Sequence, residues 1–82
     1  MPTVRVLERP DCHLCEEALV ELEQMRTAGA AFEIERVDID SDEELLRRHL
    51  ERIPVIEMDG VEVSALGLDA DGLRARLATV SA

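Results

Sequence analysis

Cys12 and Cys15 are the only thiols in the chain. They stand as Cys12-His13-Leu14-Cys15 between a short strand-like segment and an amphipathic helical one. The first backbone N–H groups of a helix are unpaired, and together with the helix dipole they favour negative charge on a sulfur placed there. Cys12 therefore reads as a nucleophilic thiolate. Cys15 lies one helical turn on, close enough to close a disulfide with Cys12, and reads as the resolving thiol. A Cys-x-x-Cys pair beside a strand and a helix is a redox signature, but the same spacing occurs in zinc and copper sites. The elements that position the pair must decide.

Thr3 to Glu8 is rich in β-branched residues, is bounded by Pro10 and predicts a strand. Beyond the cysteines, Cys15, Ala18, Leu19, Leu22 and Met25 recur at helical spacing, with Glu16, Glu17, Glu21 and Glu23 on the other surface and Gly29 as a stop. Phe32 to Asp38 predicts a second strand, with Phe32, Ile34 and Val37 as its apolar positions. Ser41 followed by Glu44 forms a capping-box pattern before Leu45, Leu46 and Leu50, which predicts a short helix ending before Pro54. Pro54 to Met58 and Val61 to Val63 flank Asp59-Gly60, a strong signal for a tight antiparallel hairpin. Leu73, Leu77 and Val80 mark one face of a terminal helix that Asp69 or Asp71 caps.

With 82 residues and no Pro-, Gly- or Ser-rich linker, residues 1–82 are expected to form one domain. Phe32 is the only aromatic, so Leu, Val and Ile must supply the core. One cysteine pair at so local a spacing is a poor staple, and the first residues carry neither a basic region nor a long apolar stretch. A cytoplasmic monomer, without signal peptide or membrane span, is expected. The net charge of -10 disfavours general affinity for nucleic acid or anionic membranes. Arg9 and the group Arg47, Arg48 and Arg52 leave room for a local anion site, against the alternative of a solvated helix face balanced by Asp42, Glu43 and Glu44.

Metal readings fare less well. A structural zinc site takes four ligands, and the chain offers two cysteines and the separated His13 and His49. Asp38, Asp40 and Asp42 resemble the start of a calcium loop, yet Glu43 stands where the glycine is needed and His49 where the bidentate glutamate would be. The rival of a different class is a Cu(I) or other soft-metal chaperone, because paired thiolates suit that ion. Such a fold ends in a strand, whereas this chain ends in a helical pattern, and Pro10 stands where a methionine is expected.

The order βαβαββα, the early Cys12-His13-Leu14-Cys15-Glu16 stretch and an Ile53-Pro54 opening the third strand together resemble a glutaredoxin-like protein of the thioredoxin fold, in particular the small bacterial Cys-His-Leu-Cys type. The resemblance covers nearly the whole chain. It implies an α/β fold, a four-stranded mixed sheet with helices on both faces, and thiol–disulfide oxidoreductase activity without a resident cofactor beyond the reversible disulfide. It further implies a cis Pro54 beside the disulfide, with the backbone at Ile53 pairing with a bound thiol substrate. Partners would be a disulfide-containing protein or a small thiol, with a dithiol or flavoprotein reductase as electron donor.

Glutaredoxins bind glutathione through positions whose counterparts here are Arg9, Ile53 and Arg52. Ser64-Ala65 stands where the family has paired glycines, and His13-Leu14 replaces its usual Pro-Tyr. These departures predict weak or absent glutathione binding, which also disfavours an iron–sulfur cluster held with glutathione. Protonated His13 would lower the pKa of Cys12, while Asp11 and Glu16 would raise it. The acids predict a reducing disulfide, with a potential of about -200 to -270 mV. Leu14 reads as an apolar rim for partner docking, and His49 as a partly buried packing residue.

Overall fold

The computed structural model describes residues 1–81. Its elements are β1 (Thr3–Glu8), α1 (His13–Thr27), β2 (Glu33–Asp38), a single 3-10 turn (Ile39–Ser41), α2 (Glu43–His49), β3 (Val55–Met58), β4 (Val61–Ala65) and α3 (Ala70–Ser81). The four strands form one mixed sheet in the order β2-β1-β3-β4. β1 runs parallel to β2 and antiparallel to β3, which pairs antiparallel with β4. The parallel pair needs a crossover, and α1 supplies it.

Side chains alternate across the strands and sort the helices onto two faces. Val4, Val6, Ile56 and Met58 pack with Ala18, Leu22 and Met25 of α1, with Leu73 of α3 and with Phe32. On the opposite face Leu7 and Val55 pack with Ile39, backed by Leu45 and Leu46 of α2. The expected helices on both faces are thus present. The β3–β4 turn is made by Asp59 and Gly60, both at positive φ (51° and 81°), the conformation a two-residue hairpin loop requires.

Four details differ from the sequence expectation. Ser41 does not cap α2. Its hydroxyl donates to the Asp38 carbonyl within the 3-10 turn, and Asp42 caps instead, its carboxylate accepting from the N–H groups of Glu44 and Leu45. The capped start nevertheless accounts for the aspartates that resemble a calcium loop. α2 buries His49 rather than Leu50, which is exposed at the end of the helix. Phe32 is fully buried but precedes β2 rather than opening it. In α3, capped by Asp69 through the Gly72 N–H, Leu73 is buried and Leu77 half-buried, while Val80 faces solvent.

Candidate functional site

The cysteine turn lies at one end of the sheet, where β1 ends and β3 begins. β1 delivers the chain to a turn through Pro10 and Asp11, and Asp11 takes a left-handed backbone (φ 60°) that turns Cys12 onto the start of α1. Cys12 is the N-cap. Its sulfur accepts from the Cys15 N–H at 3.2 Å, and its carbonyl accepts from the Glu16 N–H at 3.1 Å. A thiolate there faces unpaired amides and the positive end of a 15-residue helix.

The cysteines form a disulfide across a Cα separation of 5.2 Å. Their surroundings differ: Cys12 is partly exposed, whereas Cys15 is fully buried under the α1 face of the sheet. A groove of about 610 Å³ lies between α1 and β2, lined by Leu19, Val20, Ile34 and Arg36 but by neither cysteine. The disulfide therefore lies outside that groove.

β3 begins beside the end of β1, since Leu7 pairs with Val55. The Ile53-Pro54 peptide is cis, with Pro54 buried. The loop before it is tied to the loop after β4, because the Leu66 N–H donates to the Arg52 carbonyl at 2.8 Å. Ile53, Pro54 and the 64–67 segment thus lie at the same end of the sheet as the turn that carries Cys12. Ser64 and Ala65 belong to β4 itself, and the left-handed residues are Leu66 (φ 62°) and Gly67 (φ 150°). The Ser64 hydroxyl is engaged structurally, donating to the Gly67 carbonyl and accepting from the Asp69 N–H.

The remaining residues singled out by sequence are placed as follows. Leu14 is exposed next to Cys12. His13 is exposed, its Nε2 3.1 Å from the Glu17 carboxylate. Arg9 pairs with Asp40 at 2.8 Å. Arg52 donates to Glu62 at 2.6 Å, and that hydrogen bond raises the arginine pKa and lowers the Glu62 carboxyl below its ordinary value. Arg47 lies 4.0 Å from Glu43 on α2, and Arg48 is exposed with no carboxylate within ion-pair distance among the described residues. His49 is buried with Nδ1 lacking a hydrogen-bond partner. Among the described residues no three His, Cys, Asp or Glu side chains converge on a common metal position.

One pair beside the site escaped the sequence reading. Glu8, the last residue of β1, is buried, and Arg36 of β2 grips its carboxylate through Nε at 2.7 Å and Nη2 at 3.0 Å. Hydrogen bonding and then charge from Glu8 raise the Arg36 pKa, with a smaller contribution from Glu16. The signal was available in the alternation: Glu8 shares a face with Val4 and Val6, so an acid there needs a cation.

Comparison with known proteins gives this geometry its relatives. A search of the curated proteins finds no match. Among solved structures, the solution NMR structure of protein Ne2328 from Nitrosomonas europaea is 32% identical, covers 92% of this chain and 89% of its own, and superposes with a TM-score of 0.82. The X-ray structure of protein XcR50 from X. campestris is 36% identical, over 93% of this chain and 96% of that one, with a TM-score of 0.71. Oxidised thioredoxin from Plasmodium falciparum, at 16% identity over 99% of this chain and 82% of its own, has a TM-score of 0.61, a likeness of fold that identifies the sheet and helices as thioredoxin-like. The model of the glutaredoxin-like domain (DUF836) matches residues 3–78, from the first residue of β1 into α3 and through the cysteine turn and cis-proline, so this chain belongs to the glutaredoxin-like family.

Proposed function

We propose that the protein is a thiol–disulfide oxidoreductase in which Cys12 is the nucleophile and Cys15 the resolving thiol. The reading rests on the asymmetry of the pair: a partly exposed sulfur at a helix N-terminus, hydrogen-bonded by a backbone amide, backed by a fully buried partner. In the reduced protein the Cys12 thiolate attacks one sulfur of a substrate disulfide. The first substrate thiolate leaves and takes a proton from water. Cys15 then loses its proton and attacks the Cys12 sulfur, expelling the second thiolate and closing the Cys12–Cys15 bond. Two electrons pass to the substrate, and a dithiol or flavoprotein reductase returns them.

In this reading the backbone at Ile53, beside the cis Pro54, pairs with an extended substrate segment, and the exposed Leu14 offers an apolar contact. A cytoplasmic, monomeric protein acting on protein or low-molecular-weight disulfides fits this chemistry. The two cysteine variants test it. Cys12→Ser should abolish disulfide exchange, and Cys15→Ser should accumulate a mixed disulfide through Cys12, read by mass. Equal exchange in wild type and Cys12→Ser would overturn the proposal. Tight Cu(I) binding with no disulfide reduction would replace it with the metal-chaperone reading.

A further inference from the structure

Four basic side chains at this end of the sheet already have carboxylate partners. Arg9 is paired with Asp40, Arg36 with Glu8, Arg52 with Glu62, and His13 with Glu17. Two carboxylates that flank the cysteine pair in sequence have no such partner: among the described residues, no Arg or His lies within ion-pair distance of Asp11 or Glu16. Asp11 precedes Cys12 directly and is exposed. Glu16 is exposed one turn along, on the residue whose N–H bonds the Cys12 carbonyl. Arg36 feels Glu16, but its guanidinium is held by Glu8, so these three groups together still carry a negative charge. α1 continues the same sign through the exposed Glu21. The chain as a whole, with a net charge of -10, carries the same sign.

We propose that Asp11 and Glu16 are specificity-determining residues that select cationic disulfides over anionic ones. The physiological substrate class is then a protein cystine flanked by Lys or Arg. This rests on the oxidoreductase reading above and adds to it the charge of the substrate. The reaction is that already written, with Cys12 and Cys15 oxidised to their disulfide and the substrate disulfide reduced to two thiols.

The test uses single turnovers of the fully reduced protein, with no other reductant present. It is mixed in turn with cystamine (cationic), 2-hydroxyethyl disulfide (neutral) and dithiodiglycolate (anionic), and the oxidised protein is quantified by mass after acid quench. Dithiothreitol run against the same three disulfides supplies the intrinsic rates for normalisation. Each carboxylate near the sulfur changes the encounter by about twofold at a separation of about 10 Å in water, and both terms reverse sign between the charged substrates. Cystamine should therefore be preferred over dithiodiglycolate by about tenfold at ~0.01 M ionic strength, shrinking to about twofold at ~0.5 M.

In Asp11→Asn/Glu16→Gln that ratio should fall to within about twofold of the dithiothreitol reference even at low salt. Asn tolerates the left-handed backbone at position 11, so the variant should fold. The ratio is the readout because any change in the acidity of Cys12 affects all three substrates alike. Glu33→Gln, at the far end of β2, removes a carboxylate remote from the cysteines and should leave the ratio as in wild type. Reduction of all three disulfides with a normalised ratio near one at low salt overturns the charge inference alone. So does an equal loss of preference in Glu33→Gln. Failure to reduce even the neutral disulfide overturns the oxidoreductase reading and the inference with it.

Discussion

Replacing Arg36 by methionine strands a carboxylate that is almost out of water. The Glu8 side chain is 8% exposed and that of Arg36 59%, and their hydrogen bonds measure 2.7 and 3.0 Å. Breaking a buried ion pair costs about 3–5 kcal/mol because one charge remains unpaired, whereas an exposed pair contributes about 0–1 kcal/mol. Here the acid is buried and the base half in water. Solvent can follow the shorter methionine side chain toward Glu8, so the expected loss lies between the limits, at about 2 kcal/mol. For a domain of this size, that lowers Tm by about 8–16 °C.

The pH behaviour of the pair follows from Arg36. Its pKa is raised by Glu8, first by the hydrogen bond and then by charge. A cation with a raised pKa contributes stability that is complete below its unfolded value and is lost only as pH rises through the folded one. That window lies far above neutrality, so titration of the arginine leaves the difference between wild type and Arg36→Met unchanged around pH 7. Far-UV circular dichroism on the oxidised protein, heated or titrated with urea, measures the loss, since the chain has no Trp or Tyr. Glu8→Leu/Arg36→Met removes both charges and should recover at least half of it. A loss in Arg36→Met under about 0.5 kcal/mol, or a double variant less stable than Arg36→Met, would refute the assignment of Glu8 as a buried acid dependent on Arg36.

The hydrogen bond from Arg52 holds the Glu62 carboxyl below its ordinary pKa, so the stability it contributes is present at neutral pH and is lost as pH falls through that depressed value. In an NMR titration, Arg52→Gln should move the Glu62 midpoint upward; an unchanged midpoint would mean that the contact does not persist in solution. The disulfide should titrate against glutathione buffers at about -200 to -270 mV, because Asp11 and Glu16 oppose the thiolate that the helix start favours, and a value near -120 mV would show the helix to dominate. Glutathione added to Cys15→Ser should shift the amides near Ile53 and Ser64 little, since Ser64 and Leu66 bring side chains to that end of the sheet; saturable micromolar binding would contradict this.

The elements were legible because their signals are local. β1 and the Asp59-Gly60 hairpin announce themselves by alternation and turn chemistry, and the helix after Cys12 by its apolar spacing. What failed locally was a choice between neighbours. Ser41 and Asp42 are both good caps, and the 3-10 turn decides by occupying the Ser41 hydroxyl with the Asp38 carbonyl. His49 and Leu50 compete for one buried position, and the phase of a seven-residue helix awards it to the histidine. The cysteines, the cis Ile53-Pro54 and their shared end of the sheet could be anticipated from motif and family resemblance.

The electrostatics of that end could not. Arg9, Arg36 and Arg52 are each neutralised by a carboxylate remote in sequence: Asp40 past β2, Glu8 in β1 and Glu62 in β4. Each pairing depends on sheet order and register, which bring those residues together across connections of very different length. A count of basic residues in the sequence suggests an anion site, but the folded chain engages Arg9 and Arg52 and leaves Asp11 and Glu16, on either side of the cysteine pair, without ion-pair partners. Local charge at a reactive thiol is therefore a tertiary property. The same Cys-x-x-Cys turn can face opposite potentials in two relatives if one strand-end acid exchanges its partner.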